Sequence, residues 1–360
     1  MRVVTFASGS SGNCTLVSLG RAHFLIDAGI SWRRIREQLS LSGVKPEALS
    51  AVLITHEHTD HISGLATMSR RCDAPVLAPR TVANRLRGKI PDVAERLREF
   101  PVGQRVEIDG VTVLAFHTPH DTDESVGWRL EADEGCFALA TDMGEVTPEI
   151  REGLAGADCA LIEANHDPEL LRYGPYPYAL KRRILSTHGH LSNPECAALA
   201  VFLAENGTRD LILGHLSREN NVPALAWQTV AEALRERALA FDAEAEAAAD
   251  TEPEADTELE ANAEAAAYPN TAGRADLPDM PDIPDTPDIP DRSYTPDRAD
   301  KPGRSYRPDR INPDRIEQPD RPAPTGHHAG EDLGGVRLFV APAAGRLTVE
   351  TGNAEILVYQ

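Results

Sequence analysis

The string Thr55-His56-Glu57-His58-Thr59-Asp60-His61 constrains the chain more than any other feature. It follows an apolar run, residues 51–54, that predicts a buried strand. Because extended backbone points residues i and i+2 to the same side, His56 and His58 can converge on one ion. Asp60 and His61 can face a second ion if they open the next turn. Imidazole and carboxylate groups suit zinc and related divalent metals. Only 12 of the 360 residues are His, so the string predicts a metal site rather than an ordinary polar loop.

The remaining metal ligands are expected after other apolar runs, because strand ends point into shared clefts. His120 is the expected third ligand of the first ion, and His117 is its competitor. Asp142 is placed to bridge both ions, although a turn-capping aspartate would give the same pattern. His215 ends an apolar run and is the expected last ligand.

Several other polar residues are candidates for binding or catalysis. His166 and His190 can be ligands, substrate contacts or proton donors, or can be histidines without any of these roles. The loop at residues 8–13, which contains Ser10 and Asn13, can cradle a phosphate with its amides or form a simple hairpin turn. Asp27 is predicted to be a buried carboxylate that braces the loop of residues 55–61, which we call the metal loop.

The apolar pattern predicts an α+β fold. Strands are predicted at residues 3–7, 14–19, 23–26, 51–54, 76–78, 106–108, 111–116, 127–131, 136–140, 159–163 and 211–213. Helices are predicted at residues 31–39, 64–71, 81–87, 91–98, 176–186, 193–206 and 223–237. The strands first form a meander and then mix with helices. This order favours two sheets packed face to face with helices outside, and not a doubly wound parallel sheet.

The composition changes sharply after residue 241. Residues 1–238 carry 25 Lys and Arg against 31 Asp and Glu, so most of the net charge of −21 lies further on. An Ala/Glu-rich stretch is followed by Pro-Asp repeats, which are incompatible with helix or sheet interiors. We predict a catalytic domain at 1–241, a disordered insertion at 242–332 and C-terminal strands at 333–360 that rejoin the domain. A docking tether is the functional alternative for the insertion.

The cysteines and the hydropathy pattern favour a cytoplasmic protein. Five scattered cysteines without a CxxC pair suit a reducing compartment. We expect no signal peptide, because polar residues follow the first few positions. We also expect no membrane partner, since no apolar run approaches the ~18 residues of a membrane span.

Together these features resemble the metallo-β-lactamase-fold hydrolases. The signature HxHxDH of that superfamily is met by His56, His58, Asp60 and His61. The strings GSSGN at 9–13, EANHD at 163–167 and GHLSN at 189–193 resemble more narrowly its YycJ group, also called WalJ or VicX. The resemblance covers about residues 1–240 and the final strands. The Pro-Asp insertion and His188 depart from the group's pattern.

The resemblance implies an αββα four-layer sandwich with two divalent metal ions, Zn²⁺ or Mn²⁺. It further implies a phosphodiesterase, specifically a 5′-to-3′ DNA exonuclease linked to DNA repair, in which metal-activated water attacks phosphorus. The implied ligand sets are listed here: His56, His58 and His120 for one ion, Asp60, His61 and His215 for the other, and Asp142 between them.

Catalytic and substrate-binding roles are expected for further residues. Asp60 is expected to orient the attacking water, and His190 or His166 to protonate the leaving oxygen, with His188 left open as a substrate-facing residue. The expected substrate contacts are Ser10, Asn13, Lys181, Arg182 and Asn193. A solvated helix face would explain the basic residues equally well.

Two other functional classes compete with a nuclease. A small-molecule hydrolase for a thioester, lactone or cyclic phosphodiester would need a narrow apolar pocket in place of an open basic groove. A non-catalytic regulator that keeps the fold would be favoured by missing ligands, and no HxHxDH residue is missing.

Overall fold

Fifteen strands form two sheets in the part of the chain that the computed structural model describes, residues 1–249, 333–343, 345–351 and 358–359. The strands are β1 Arg2–Ala7, β2 Cys14–Leu19, β3 Ala22–Ile26, β4 Ala51–Leu53, β5 Val76–Ala78, β6 Leu97–Glu99, β7 Arg105–Ile108, β8 Val111–His117, β9 Val126–Ala132, β10 Gly135–Ala140, β11 Cys159–Glu163, β12 Asp210–Gly214, β13 Arg337–Val340, β14 Arg346–Glu350 and β15 Val358–Tyr359. The helices are α1 Trp32–Leu41, α2 Thr59–Ile62, α3 Leu65–Ser69, α4 Arg80–Lys89, α5 Pro148–Leu154, α6 Pro168–Tyr173, α7 Tyr178–Ile184, α8 Asn193–Glu205 and α9 Pro223–Ala249.

Both sheets are mixed. The first has the strand order β15-β14-β1-β2-β3-β4-β5-β6, and the second has the order β13-β12-β11-β10-β9-β8-β7. In the first sheet β3 to β6 run parallel, and in the second β10 to β13 run parallel. Parallel strands end at one edge of their sheet, so the loops after them collect at a common edge.

Three apolar clusters define the layers. Phe24, Trp128 and Phe137 are fully buried within the cluster contributed by the inner faces of both sheets. Residues of α1, α3 and α4 pack on the outer face of the first sheet. Residues of α5, α8 and α9 pack on the outer face of the second. The predicted αββα sandwich is confirmed.

The C-terminal strands return to both sheets. β13 pairs parallel with β12, where Phe339 faces Ile212. β14 pairs antiparallel with β1, where Val349 faces Val3. Helix α9 continues to Ala249, past the boundary predicted at residue 241. The predicted Pro-Asp insertion lies outside the described residues. Among those that are described, no helix has the length and apolar character to cross a membrane.

The helix predicted at residues 91–98 is wrong. A short 3-10 turn occupies Pro91–Val93, and the chain then extends into β6, which pairs parallel with β5. Leu97 is buried while Arg98 and Glu99 are exposed at the sheet edge. Pairing with β5 therefore overrides the local preference of these charged residues for a helix.

Candidate metal centre

Three imidazoles form a first cluster. His56 and His58 lie between β4 and α2, with ring centroids 4.6 Å apart. His120 follows β8, and its ring centroid lies 5.1 Å from that of His56 and 5.0 Å from that of His58. One ligand atom of each residue lies within 4.8 Å of the others, so a single ion can contact all three. The competitor His117 is exposed and faces Glu149 instead, with Nδ1 3.1 Å from its Oε1.

A second cluster joins the first through Asp142. Asp60, His61 and His215 offer ligand atoms within 4.8 Å of one another. Oδ2 of Asp142 lies 3.1 Å from Nε2 of His61, and its Oδ1 lies 3.4 Å from Nε2 of His215. The same Oδ1 is 3.6 Å from Nε2 of His120, a member of the first cluster. The carboxylate of Asp142 is therefore placed between the two sets of ligands.

Left-handed backbone turns direct three of these acidic and imidazole side chains. Asp27, Asp142 and His215 have φ of 59°, 56° and 54°, and they follow β3, β10 and β12. Non-glycine residues rarely adopt this region, which costs about 1–3 kcal/mol each. Three of the four described non-glycine residues with positive φ therefore lie at this cluster, and the fourth, Asp109, lies in the turn between β7 and β8.

Two glycines allow the loops to approach each other closely. A Cβ on Gly29 would lie 1.6 Å from the carbonyl oxygen of Asp60. A Cβ on Gly144 would lie 2.3 Å from the carbonyl carbon of Thr187, in the loop that precedes His190. Any larger residue at either position would push these loops apart.

Asp27 braces the metal loop, as predicted. Its Oδ2 accepts a hydrogen bond from Nδ1 of His61 at 2.7 Å. Its Oδ1 accepts one from the backbone N–H of Thr55 at 2.9 Å. These bonds fix the ring of His61 so that Nε2 faces Asp142.

Glu163 supports two histidines and was missed by the sequence interpretation. This fully buried carboxylate at the end of β11 accepts hydrogen bonds from Nδ1 of His190 at 2.8 Å and Nδ1 of His215 at 2.9 Å. The backbone N–H of Met143 donates to its other oxygen at 2.9 Å. The sequence signal was an acidic residue at the end of an apolar strand. Only the order of the strands in the sheet, however, places Glu163 beside both imidazoles.

The buried acidic groups around the clusters favour positive charge beside them. Burial lowers the pKa of His61, but Asp27 and Asp142 outweigh it and raise that pKa to about 10. Burial would raise the pKa of Glu163, but the neighbouring His190 and His215 lower it to about 2. The carboxylate of Glu163 is therefore anionic and is stabilised by positive charge nearby. Divalent ions supply such charge in exchange for protons.

The ligand atoms themselves fit metal ions. Nε2 of His56 and Nε2 of His215 are buried without a hydrogen-bond partner. Buried polar atoms are nearly always paired, and a metal ion would satisfy each of these. Burial, as the largest cause, also lowers the pKa of His120 to about 4, which keeps its imidazole neutral. This set of nitrogen and oxygen donors fits divalent metal ions.

The histidines predicted as proton donors occupy different surroundings. The side chain of His190 is 22% exposed, and its ring lies 5.2 Å from that of His120. His166 is 1% exposed with both ring nitrogens unpaired, and burial lowers its pKa to about 4. His188 is exposed and faces Thr187. Of the three, only His190 both contacts Glu163 and borders the cleft described below.

The loop residues expected to bind substrate are divided between surface and interior. Ser10 is exposed. Asn13 is buried under the metal loop, with Nδ2 3.0 Å from Nε2 of His61 and 3.4 Å from Oδ2 of Asp60. Asn193 is fully buried, and its Nδ2 donates to Oδ1 of Asn221 at 3.0 Å.

The predicted basic contacts also differ from one another. Lys181 donates to the backbone carbonyls of Arg172 and Gly174. Arg182 is exposed, with its guanidinium 6.0 Å from the ring centroid of Tyr178. The following residue, Arg183, forms an ion pair with Asp121, and this is the basic side chain nearest the metal cluster in the 181–183 segment.

A small polar cleft opens beside the clusters. Its volume is about 200 Å³. It is lined by Ser10, His120, Asp121, Asn165, Tyr176, Leu180, Arg183, Ile184, Gly189, His190 and Ser217. Since only two of these are aliphatic, the cleft is not the narrow apolar pocket that a small-molecule hydrolase of the rival kind would need.

Two facing mixed sheets with histidines and carboxylates at their strand ends define a metallo-β-lactamase-type fold. The Beta-lactamase superfamily domain matches residues 22–216. The chain is 37% identical over 235 residues to Exodeoxyribonuclease WalJ of Streptococcus pneumoniae, covering 64% of this chain and 87% of the relative. It is 34% identical over 234 residues to Exodeoxyribonuclease YycJ of Bacillus anthracis, covering 64% and 88%.

Among solved structures, the metallo-beta-lactamase fold protein YhfI from Bacillus subtilis aligns with a TM-score of 0.49 and 16% identity, over 64% of this chain and 93% of that one. The chain belongs to the beta-lactamase superfamily and, within it, to the group of WalJ and YycJ. The family predicted from the HxHxDH, GSSGN, EANHD and GHLSN strings is thereby confirmed.

Proposed function

We propose that the protein is a phosphodiesterase with two divalent metal ions, Zn²⁺ or Mn²⁺, that removes nucleotides from DNA in the 5′-to-3′ direction. The observation that carries the proposal is the junction of two ligand clusters at Asp142, beside the hydrogen-bonded pair Glu163–His190. The relatives named exodeoxyribonucleases support DNA as the substrate.

The ligand sets follow the two clusters. His56, His58 and His120 would hold one ion, Asp60, His61 and His215 the other, and Asp142 would contact both. When bound, the ions activate water as a nucleophile and neutralise charge on the phosphoryl oxygens.

Asp60 and His190 are assigned the proton-handling roles. Asp60 is the least buried member of the second cluster, with 23% of its side chain exposed, so it can orient the attacking water and accept its proton. Glu163 accepts the hydrogen of Nδ1 on His190, which leaves Nε2 free to serve the leaving oxygen. His166 is too deeply buried for this task, and we assign the donor role to His190.

Metal-dependent turnover of end-labelled DNA tests the proposal. The purified chain with Mn²⁺ or Zn²⁺ is expected to release mononucleotides from the 5′ end, and Asp60→Ala is expected to abolish the release. Asp73→Ala is the matched control, because the side chain of Asp73 is 88% exposed and pairs with Arg96, neither of which belongs to the clusters. The proposal would be overturned if the chain hydrolysed esters but cleaved no DNA with any divalent metal.

We further infer that the protein works in the cytoplasm in DNA repair. All five cysteines are buried and unpaired, which suits a reducing compartment. If a strain that lacks the protein resisted DNA-damaging agents as well as its parent does, the repair role would be contradicted.

A further inference from the structure

A cationic and aromatic segment borders the cleft. Residues 170–188 contain four Lys and Arg, three Tyr and no Asp or Glu, in a chain whose net charge is −21. These three are the only tyrosines before residue 268. We call residues 170–188 the tyrosine–arginine segment. Such a concentration in one place indicates a binding surface rather than a uniformly solvated helix face.

The rings of this segment are presented to solvent. Tyr173 is 77% exposed and Tyr178 is 56% exposed, at the end of α6 and the start of α7. Tyr176, between them, is partly buried and lines the cleft together with Arg183. The three rings therefore lie between the exposed surface and the cleft.

Hydrogen bonds and prolines restrain the backbone of the tyrosine–arginine segment. Nζ of Lys181 donates to the carbonyl oxygens of Arg172 at 2.7 Å and Gly174 at 2.8 Å, which ties α7 to the end of α6. Pro175 and Pro177 restrict the backbone of the connecting loop. The backbone that carries the rings is thus restrained, which lowers the ordering cost of binding relative to a flexible loop.

Its arginines connect the surface to the metal centre. Arg183 forms an ion pair with Asp121, whose Oδ1 lies 3.1 Å from Nε2 of His120. Arg182 lies over the ring of Tyr178, with 6.0 Å between guanidinium and ring centroid. Arginine side chains therefore lie both beside the ring of Tyr178 and at the edge of the first cluster, where Asp121 pairs with Arg183.

We propose that the tyrosine–arginine segment binds the single-stranded end of a DNA substrate and directs it to the metal centre. This inference rests on the proposed nuclease function. Bases of any sequence stack on exposed aromatic rings, and arginines neutralise the phosphates between them. The cleft, at about 200 Å³, is far too small for a duplex, so the strand that enters is unpaired.

Steady-state kinetics of the metal-loaded full chain test this surface. The substrate is a 5′-phosphorylated single-stranded oligodeoxynucleotide, and bis(p-nitrophenyl) phosphate serves as a small reference substrate. In the double variant Tyr173→Ala/Tyr178→Ala, kcat/KM for DNA divided by kcat/KM for the reference substrate is expected to fall about tenfold or more. The fall should come from a higher KM for DNA. Tyr173→Phe/Tyr178→Phe should keep the ratio, because stacking needs the ring and not the hydroxyl.

Salt dependence tests the arginines separately. Arg182→Ala should reduce the slope of log kcat/KM for DNA against log salt concentration by about 0.7. Arg36→Ala, an exposed arginine on α1 outside the segment, is the matched control and should change neither slope nor ratio.

The outcomes distinguish the two proposals. If the wild type hydrolyses neither substrate with any divalent metal, the nuclease function itself is overturned. If it hydrolyses both and the tyrosine-to-alanine variant keeps the wild-type ratio, the segment does not bind DNA. Loss of self-association in that variant at an unchanged ratio would assign the tyrosines to a protein contact and would likewise overturn the inference.

Discussion

At the scale of single residues, Glu163 links metal binding to proton transfer. One buried carboxylate accepts hydrogen bonds from a proposed ligand, His215, and from the proposed donor, His190. Both imidazoles are thereby fixed with Nε2 toward the site. A change at Glu163 should consequently affect metal affinity and catalysis together.

We predict that Glu163→Gln lowers metal affinity about 10- to 100-fold and lowers kcat at saturating metal. The amide is uncharged, and in either orientation its NH₂ group faces hydrogen-bond donors, which are the two ring N–H groups or the backbone N–H groups of Met143 and Leu191. Chelator competition measures the affinity, and end-labelled DNA measures kcat. Glu149→Gln is the control, since Glu149 is half exposed and contacts only His117 among the histidines. Wild-type metal affinity in Glu163→Gln would contradict the assigned contact.

The sequence predicted the candidate ligands because each lies at a position defined by its local pattern. His56 and His58 follow from the spacing along one strand end, and Asp142 from an apolar run that precedes it. Glu163, by contrast, acts across strands, so its role depended on β11 lying between β10 and β12. The burial of Asn193 against Asn221 is likewise a long-range contact that spacing does not reveal.

At the scale of elements, the turn after β3 must pass close to helix α2. The backbone N–H of Ala28 donates to the carbonyl of His61 at 2.8 Å, and the N–H of Asn13 donates to that of Asp60 at 2.7 Å. Gly29 lies against the same carbonyl of Asp60, where a Cβ would overlap it at 1.6 Å. Three segments distant in sequence are thus packed backbone to backbone around the second cluster.

Gly29→Ala is therefore predicted to destabilise the fold by about 3 kcal/mol or more, because backbone atoms cannot yield as a side chain would. Gly88→Ala, in α4, is the control, since a Cβ there meets nothing within 4 Å. That substitution should leave stability unchanged or raise it by up to about 1 kcal/mol. Urea unfolding followed by circular dichroism measures both, and equal midpoints for Gly29→Ala and wild type would refute the close packing.

The elements that the sequence predicted well are those with a continuous apolar run. β2, β5 and β11 occupy the predicted residues, since each is buried along its whole length. β6 was missed because only Leu97 in it is buried. An edge strand of this kind is determined by its neighbour β5, and no pattern within residues 97–99 indicates it.

At the scale of the whole molecule, the two sheets are closed by residues from the far end of the chain. Leu347 and Val349 of β14 and Phe339 of β13 are buried in the central cluster. A Cβ on Gly334 would lie 3.3 Å from Cβ of Ala238, so the chain re-enters the fold beside α9. The fold therefore depends on residues 333–350.

We predict that deleting residues 251–320 preserves both folding and DNA turnover. Helix α9 extends about 16 Å beyond Ala238, and the residues retained from 321 to 332 span up to about 40 Å. The chain can therefore return to Gly334 without strain. The deleted protein should melt within a few degrees of the wild type and cleave end-labelled DNA at the wild-type rate.

Truncation at residue 332 is the matched comparison and should have the opposite effect. It removes β13 and β14, which exposes the paired edges of β12 and β1 and opens the central cluster. The truncated chain should show no cooperative thermal transition. If the internal deletion also failed to fold, the residues between α9 and β13 would be part of the core. If it folded but cleaved DNA slowly, they would act in substrate capture, and the prediction would be wrong in either case.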